Sequence, residues 1–462
     1  MNALKIDTSC GYRPPMPQFA RPGVGGLEAL GRARKNVIST FERRAYFAPF
    51  FARKYLFRWT YFANSPQTIR HVLVTNANNY VKSRAMQRSL RPLMGNSILT
   101  SNGDEWQRQR KIANPLFTRD HLKAYGKIKT EEAAKLVDRW RAARAGEEVW
   151  IDKLMTDVTA RIICRAMFSE ELGERAHTVL KGSTMYQDAL RQVDYAEMLG
   201  LPALFTLRPP RLIRRGVARV DRVTYDIIGE RLKTLNDDRN DFISVLLNAG
   251  HEDAGQLGDL KDIRDQVSTM LLAGHETTAN SLAWSLLCIA HDQGVAERLH
   301  DEAVSVLGSR KAAEYDDIRA LKFTTAVIEE ALRLYPGIPV LWRNSVDDDI
   351  VDGHQVRAGS NMIISPWLIH RHRLIWEKPN RFVPERFLEE NKGPRAKFAY
   401  IPFGGGPRIC IGATFAMNEA VILLATIMRY FRLTLREGHK VVPLARFSLR
   451  PEPGLPMSVR PW

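Results

Sequence analysis

Phe403-Gly404-Gly405-Gly406-Pro407-Arg408-Ile409-Cys410-Ile411-Gly412 is the stretch on which every other reading of this sequence turns. Three consecutive glycines and a proline can continue neither a helix nor a central strand, so a tight loop is expected there. The apolar run behind it, Ala413 to Ile427, reads as a helix. Cys410 then stands just ahead of a helix N-terminus, where amide N–H groups and the helix dipole favour a thiolate. Arg408 adds a permanent cation two residues away, and the flanking glycines let the backbone approach a large flat object. A lone thiolate in such a loop suits the iron of a haem, for which Cys is one of few axial ligands. A buried structural cysteine is the other reading of a single Cys.

The whole chain bounds the possibilities. Its 462 residues are enough for two or three ordinary domains, or for one large domain with a deep core. An apolar content of 45% beside 26% charged residues is that of a soluble globular protein. The 68 basic and 51 acidic residues leave a net charge of +17, which implies an acidic partner or surface. Cys10, Cys164, Cys288 and Cys410 lie far apart with no C-x-x-C pair. That spacing argues against a zinc site or a disulfide framework and for a reducing cytoplasm. No stretch approaches about 18 uncharged apolar residues, and Met1 to Pro17 lacks the apolar core of a signal peptide. The expectation is a soluble, cytoplasmic protein with no transmembrane anchor.

Residues 1–35 are rich in proline and glycine and read as an extended surface arm. Between Tyr46 and Phe62 aromatic and basic residues interleave, a pattern compatible with nucleic-acid or membrane-surface binding. A pair of strands with one buried aromatic face is the preferred reading, so no nucleic-acid partner is expected. Residues 82–101 read as a loop-rich segment ahead of a helix that begins near Trp106. Trp106 and Arg110, four apart, share a helical face, and an indole N–H and a guanidinium could both bind one carboxylate. Helical periodicity recurs over Ile128–Arg144 and Ile151–Phe168, and again over 171–235 with breaks at Pro202 and Pro209-Pro210. The tail of that last region, Arg211 to Lys233, is basic on one face.

Asp262 to His291 reads as one long buried helix interrupted by a polar knot, Gly274-His275-Glu276-Thr277-Thr278. Threonine there can bond the carbonyl four residues back and open a bulge. His275-Glu276 resembles half of a zinc-protease motif, but Ala279 stands where the second His belongs, and the motif fails. Thr324 to Tyr335 is a further helix, ended by Pro336, with Glu330 and Arg333 on one face. Short alternating runs, Ile350–Val356 and Asn361–Ile364, with Gly353 and Gly359 at their turns, predict a small sheet. His370 and His372 form an H-x-H without a third ligand and read as structural or surface histidines.

Taken together these stretches resemble the cytochrome P450 family. Phe403, Gly406, Arg408, Cys410 and Gly412 fill all five fixed places of its haem signature. Ala273-Gly274-His275-Glu276-Thr277-Thr278 is similar to its oxygen-binding helix, and a Trp-x-x-x-Arg pair and Glu330-x-x-Arg333 with Pro384-Glu385-Arg386-Phe387 follow the family's order. The resemblance spans about two-thirds of the chain, Trp106 to Gly412. It implies one mainly α domain over 1–462, with small β-sheets forming a β-rich lobe from roughly 36–80 and 336–400. The implied cofactor is haem b, with Cys410 as iron ligand. Trp106, Arg110, Arg343 and Arg408 would serve its propionates, and Phe403, Gly404, Gly412 and Ala273 would line its site. Ile338, Val340 and Leu341 would face the substrate. Thr277 would hydrogen-bond dioxygen and Glu276 would bring protons, while Glu330, Arg333 and Arg386 would form a buried structural cluster behind the loop. The implied activity inserts one atom of O₂ into a lipophilic small molecule. Electrons would come from an acidic ferredoxin or flavodoxin with its reductase, because the 50 residues after Gly412 leave no room for a flavin domain. A monomer is expected. A haem-thiolate sensor or a peroxide-driven peroxygenase would share the Cys loop, but neither needs the Glu276-Thr277 pair.

Overall fold

The computed structural model describes residues 12–24, 26–55, 58–142, 146–169, 175–189, 211–233, 241–252, 259–391, 393 and 395–462. Its centre is the helix Leu260–Ala290, which is buried along most of its length. A helix that is apolar on all sides must be surrounded. Helices Ile151–Phe168, Lys322–Leu334 and Ala413–Tyr430 do so, with Arg211–Lys233 and Phe242–Glu252 towards its N-terminal half. Trp284 on this helix is fully buried, stacks on Tyr335 at 3.9 Å between ring centres, and donates its indole N–H to the Leu449 carbonyl at 2.9 Å. Where Ile151–Phe168 crosses it, a Cβ on Gly274 would come within 2.6 Å of the Ile163 side chain. The glycine in the polar knot is thus also a helix-crossing residue.

A five-stranded sheet flanks the helices in the order Phe50–Tyr55, Arg58–Ala63, Asn361–Ile364, Leu341–Ser345, Tyr80–Lys82. Only the second and third strands are parallel. The interleaved aromatics of 46–62 are therefore the expected strand pair. Phe50 and Tyr61 are buried on it and stacked at 6.0 Å. Two small hairpins, Asp349–Val351 with His354–Val356 and Val442–Ala445 with Leu449–Glu452, and a three-stranded sheet complete the β-structure. Among the described residues no helix is long and apolar enough to cross a membrane.

Three expectations are corrected. Gly26–Lys35 is a helix, not part of an extended arm. Residues 82–101 contain the helix Arg84–Met94: Ser83 caps it by accepting from the Met86 amide, and Leu90, Leu93 and Met94 bury one face. Pro92 and three arginines disguise that helix in the sequence, but the capping serine and the i, i+3, i+4 spacing outweigh them. The long helix carries no bulge: it is α-helical throughout 260–290. Pro202 and Pro209-Pro210 lie outside the described residues.

Behind the Cys410 loop lies a buried charged network. Glu330 and Arg333 are both fully buried. Arg333 donates to Glu330 twice (2.7 and 2.8 Å) and to the carbonyls of His370 (2.7 Å), Pro379 (2.8 Å) and Arg381 (2.9 Å), so all five guanidinium N–H groups are used. Glu330 also accepts from the Val383 amide (2.9 Å) and from Arg386 (3.2 Å). Full satisfaction is the condition for tolerating charge away from water. His370 extends the network: its Nδ1–H donates to the Arg333 carbonyl (3.2 Å) and its Nε2 accepts from the Ile401 amide (2.8 Å). It is a structural histidine, held neutral by burial and by the neighbouring arginines, which push its pKa well below the usual range.

A second buried pair is less well satisfied. Lys129, on the helix Arg119–Ala142, donates to the Phe415 carbonyl at 3.0 Å and lies 3.6 Å from the centre of the Phe415 ring. Burial pulls its ammonium down to about 7. Glu419, on the facing helix Ala413–Tyr430, is pushed up to about 8 by burial, against the pull of Lys129. Neither Glu419 carboxyl oxygen has a hydrogen-bond partner among the described residues.

These two sites yield two predictions. Arg333→Ala removes one partner of a buried pair, at a cost of about 3–5 kcal/mol, a large share of a domain's net stability. Little folded protein is expected on expression; a well-folded Arg333→Ala with an unchanged thermal midpoint would contradict the role given to this network. Glu419 binds its proton more tightly folded than unfolded, so its stabilising contribution is complete below pH 4.5 and is lost as the pH climbs to about 8. Glu419→Gln removes that loss. Its thermal midpoint relative to wild type should rise between pH about 5 and about 8, and a pH-independent difference would rule out the titration.

Candidate haem-binding site

The loop 403–412 forms one wall of a cavity of about 450 Å³. The opposite wall is the middle of the long helix, with Ala273, Gly274, Thr277 and Thr278. The helices Arg84–Met94 and Gly103–Ala113, the strand Leu341–Ser345 and the hairpin tip at 445–447 close the sides. Of Cys164, Cys288 and Cys410, only Cys410 reaches the cavity; the other two are buried in packed core. Ile338, Val340 and Leu341 also line it.

The loop is shaped by its glycines in two ways. Gly406 has φ +67°, and a Cβ there would fall 1.9 Å from the Leu73 carbonyl oxygen, so no other residue fits. Gly405 packs on the Phe398 ring, while Gly404 and Gly412 lie on the cavity wall. The triple glycine therefore serves close packing behind the loop as well as access in front of it. The Cys410 amide is tied back to the Phe403 carbonyl at 3.0 Å, which closes the turn.

The Cys410 sulfur is open to the cavity but enclosed by protein. Burial pushes its thiol pKa up, resisted by a hydrogen bond from the Gly412 amide and by Arg110. Burial thus opposes the thiolate that a helix N-terminus favours, and a metal cation at the sulfur would favour it again.

The basic side chains follow one pattern. Lys82, Arg110, Arg343 and Arg408 all line the cavity, and among the described residues no Asp or Glu does. Arg343 is 8% exposed and Lys82 5%, and the strand register sets them directly opposite each other. Like charges in that position repel. Burial and Arg408 draw Arg343 down to about 10; burial with Arg408 and Arg343 draws Lys82 well below the usual lysine range. Each cation rests on a backbone carbonyl: Lys82 on Ile98 (2.7 Å), Arg110 on Ile409 (2.7 Å), Arg343 on Trp342 (2.9 Å) and Arg408 on Ser101 (3.2 Å). The Arg408 guanidinium also lies over the Trp106 ring at 4.4 Å. Four clustered cations on a cavity wall that also carries a thiol fit a planar dianionic group whose metal binds sulfur. Haem, with two propionates and an iron, is such a group. Trp106, Arg110, Arg343 and Arg408, expected at the propionates, all line this cavity; Lys82 does too, although nothing around it in the sequence marks it as buried.

On the long helix, Thr277 donates its hydroxyl proton to the Ala273 carbonyl (2.9 Å) and Thr278 to the Gly274 carbonyl (3.3 Å). Glu276 is not on the cavity wall; its carboxylate accepts from the Ser448 hydroxyl on the neighbouring hairpin. His275 is buried on another side of the helix and donates from Nδ1 to the Leu271 carbonyl (2.6 Å). Glu330, Arg333 and Arg386 stay behind the loop, off the cavity. Among the described residues no group of three or more His, Cys, Asp or Glu could hold a metal ion by itself.

Comparison with known proteins agrees with this arrangement. The sequence model of the family described as Cytochrome P450 matches residues 14–457. Cyclooctatin synthase of Streptomyces melanosporofaciens is 31% identical over 398 residues, 86% of this chain and 85% of its own. Cytochrome P450 132 of Mycobacterium tuberculosis is 33% identical over 408 residues, 84% of this chain and 85% of its own. An ultra-long-chain fatty acid omega-hydroxylase of Homo sapiens is 30% identical over 420 residues, 86% of this chain and 78% of its own. The chain belongs to the cytochrome P450 family, and it is a monooxygenase whose cofactor is a haem bound through a cysteine thiolate.

Proposed function

We propose that Cys410 is the cysteine that holds the iron, and that the enzyme hydroxylates or epoxidises a lipophilic small molecule with electrons from a separate donor protein. The observation that carries this reading is one cavity with Cys410 on one wall, Thr277 on the facing wall, a basic cluster without an acid among the described residues, and largely apolar sides. Lys82, Trp106, Arg110, Arg343 and Arg408 hold the propionates, and Phe403, Gly404, Gly412 and Ala273 contact the ring. When bound, haem supplies the activation of O₂, and thiolate ligation favours O–O cleavage. Thr277 presents a hydroxyl to the cavity and orients dioxygen. Glu276, the adjacent residue outside the wall, stores a proton beside it, with its carboxylate set by Ser448. A single domain over 1–462 working as a cytoplasmic monomer completes the reading, supported by the family match across most of the chain.

The donor is read as an acidic ferredoxin or flavodoxin with its reductase. Lys111, Arg119, Lys123 and Lys127 are exposed on the segment 103–142. Arg110 and Phe117 of this segment touch the Cys410 loop, where Ile409 is 42% exposed. The patch is smaller than the sequence implies. Lys129 is fully buried, Arg108 pairs with Glu105 (2.9 Å), and Lys123 pairs with Asp316 (3.2 Å).

The haem assignment is tested on the reduced protein with carbon monoxide. Wild type should show the strongly red-shifted Soret band of thiolate ligation, and Cys410→Ala should lose it. Retention of that band in the variant would disprove the ligand. Thr277→Ala should still bind haem and consume electrons, but with less product per electron pair and more peroxide; unchanged coupling would remove Thr277 from the chemistry.

The donor patch is tested by salt and by charge reversal. Steered reduction should slow steeply as the Debye length shrinks to about 8 Å at physiological ionic strength. Lys111→Glu with Lys127→Glu should slow reduction and leave substrate affinity unchanged. Reversals at Arg211 and Arg215, on the basic helix Arg211–Lys233, should do much less. Equal slowing by both sets would leave only a generally basic surface.

A further inference from the structure

Lys129 and Glu419 are both fully buried, and neither lines the cavity. Phe415 links Lys129 to it. Phe415 is on the cavity wall, the centre of its ring lies 3.6 Å from the Lys129 Nζ, and its carbonyl accepts from that Nζ at 3.0 Å. Tyr125, one turn earlier on the Lys129 helix, packs edge-on against the same ring at 5.6 Å. Glu419 follows Phe415 by one turn of the helix Ala413–Tyr430, which starts just behind Cys410, so the two share a helical face. Neither carboxyl oxygen of Glu419 has a hydrogen-bond partner among the described residues, so ammonium and acid act on each other without sharing a bond. A buried acid without a partner changes its charge without breaking a bond.

The titratable groups on the surrounding elements are engaged elsewhere or stay protonated. Glu132 is tied to Lys135 (2.9 Å) and Arg165 (2.6 Å), and Lys123 pairs with Asp316 (3.2 Å). His300 donates to the Met428 carbonyl (3.1 Å), and Glu330 is held by Arg333 and Arg386. Tyr315 packs on Gly126. Burial pushes Tyr125 up to about 12 and Cys288, on the long helix, well above the usual thiol range. Lys129 and Glu419 are thus each the charge that acts on the other.

Reduction adds one negative charge in the cavity that Phe415 lines, and added negative charge raises the proton affinity of groups nearby. We propose that Lys129 and Glu419 form one redox-linked proton site: when the donor protein passes an electron to the haem, the pair takes up one proton from solvent. An N–H forms on Lys129 or an O–H on Glu419, the donor is oxidised by one electron, and the haem is reduced by one. The added proton offsets the added charge, and it belongs to the pair, not to either residue. The inference rests on the reading that Cys410 holds the iron in this cavity. Its sign follows from linkage. Below pH about 7 the pair is protonated in both redox states, and the potential is flat. Above that the oxidised protein has lost the proton, so reduction must bind one, and the potential falls as the pH rises through about 7 to about 8 and beyond. One proton per electron lowers the reduction equilibrium up to tenfold per pH unit, about 59 mV.

The test is a spectroelectrochemical titration of the substrate-free, haem-loaded enzyme between pH about 5.5 and about 9. Wild type should show a flat potential below pH about 7 and a falling one above it. Lys129→Met with Glu419→Gln removes both charges together, and its potential should be independent of pH in this range, with the carbon monoxide band intact. Glu419→Gln alone should move the step below pH about 7, because Glu419 is what raises the proton affinity of Lys129. A pair that only packs the two helices would leave the pH profile where it was. A flat profile in wild type overturns the proposal with no variant needed, and so does a slope that the double variant keeps. If the double variant does not fold, Glu419→Gln decides, and an unmoved step overturns the proposal. Any of these results with the red-shifted band intact leaves the haem-thiolate reading standing, whereas absence of that band from wild type removes both.

Discussion

Four cations of one cluster face a cavity that no carboxylate lines among the described residues, and that is the constraint on which the site depends. Lys82 and Arg343 are set opposite each other by strand register, and Arg408 depresses the proton affinity of both. Buried charge of one sign is tolerable only when a counter-charge arrives, and backbone carbonyls provide partial dipoles, not a charge. The two propionates of haem supply charge of the needed sign. Cys410 repeats the theme on the same wall: burial keeps its proton on until a cation displaces it. The folded chain thus holds electrostatic strain that cofactor binding relieves, and binding should add to stability by mass action.

The geometry that receives the cofactor is held from behind by neutralised charge. Glu330 meets Arg333 and Arg386 and the Val383 amide, and all five Arg333 donors are spent. Through its own carbonyl Arg333 also orients His370, whose other nitrogen accepts from the Ile401 amide two residues before Phe403. A chain of hydrogen bonds therefore runs from the helix Lys322–Leu334 to the start of the cysteine loop. Gly406, pressed on the Leu73 carbonyl, pins the same loop from its other side. The loop is thus tied to protein on two sides.

Legibility followed the physical source of each signal. Cys410, its glycines, the long central helix and the helix pair around Gly146 were readable because each rests on local chemistry: φ > 0, apolar periodicity or a turn. The roles of Trp106, Arg110, Arg343 and Arg408 came from resemblance, and their convergence on one cavity is a tertiary fact that spacing alone could not give. Lys82 and Lys129 were unreadable for the same reason. A lysine in a basic segment reads as solvated, yet one faces the cavity and the other is sealed against Phe415. The helix Arg84–Met94 was hidden because Pro92 and its arginines outvoted a correct capping serine. The bulge expected from two threonines failed because their hydroxyls add bonds to the Ala273 and Gly274 carbonyls without opening the helix.

Glu276 and Thr277 are adjacent in the chain but differ in placement. The Glu276 carboxylate is off the cavity wall and is held by Ser448. Ser448 also accepts from Asn280, one helical turn further along, at 3.3 Å, so the hairpin tip is clamped to the long helix at two points. The two residues before Ser448 are Phe447 and Arg446, both on the cavity wall. Three consecutive residues of one tight turn therefore join the Glu276 carboxylate to the cavity wall, and the hairpin meets the long helix one residue from Thr277.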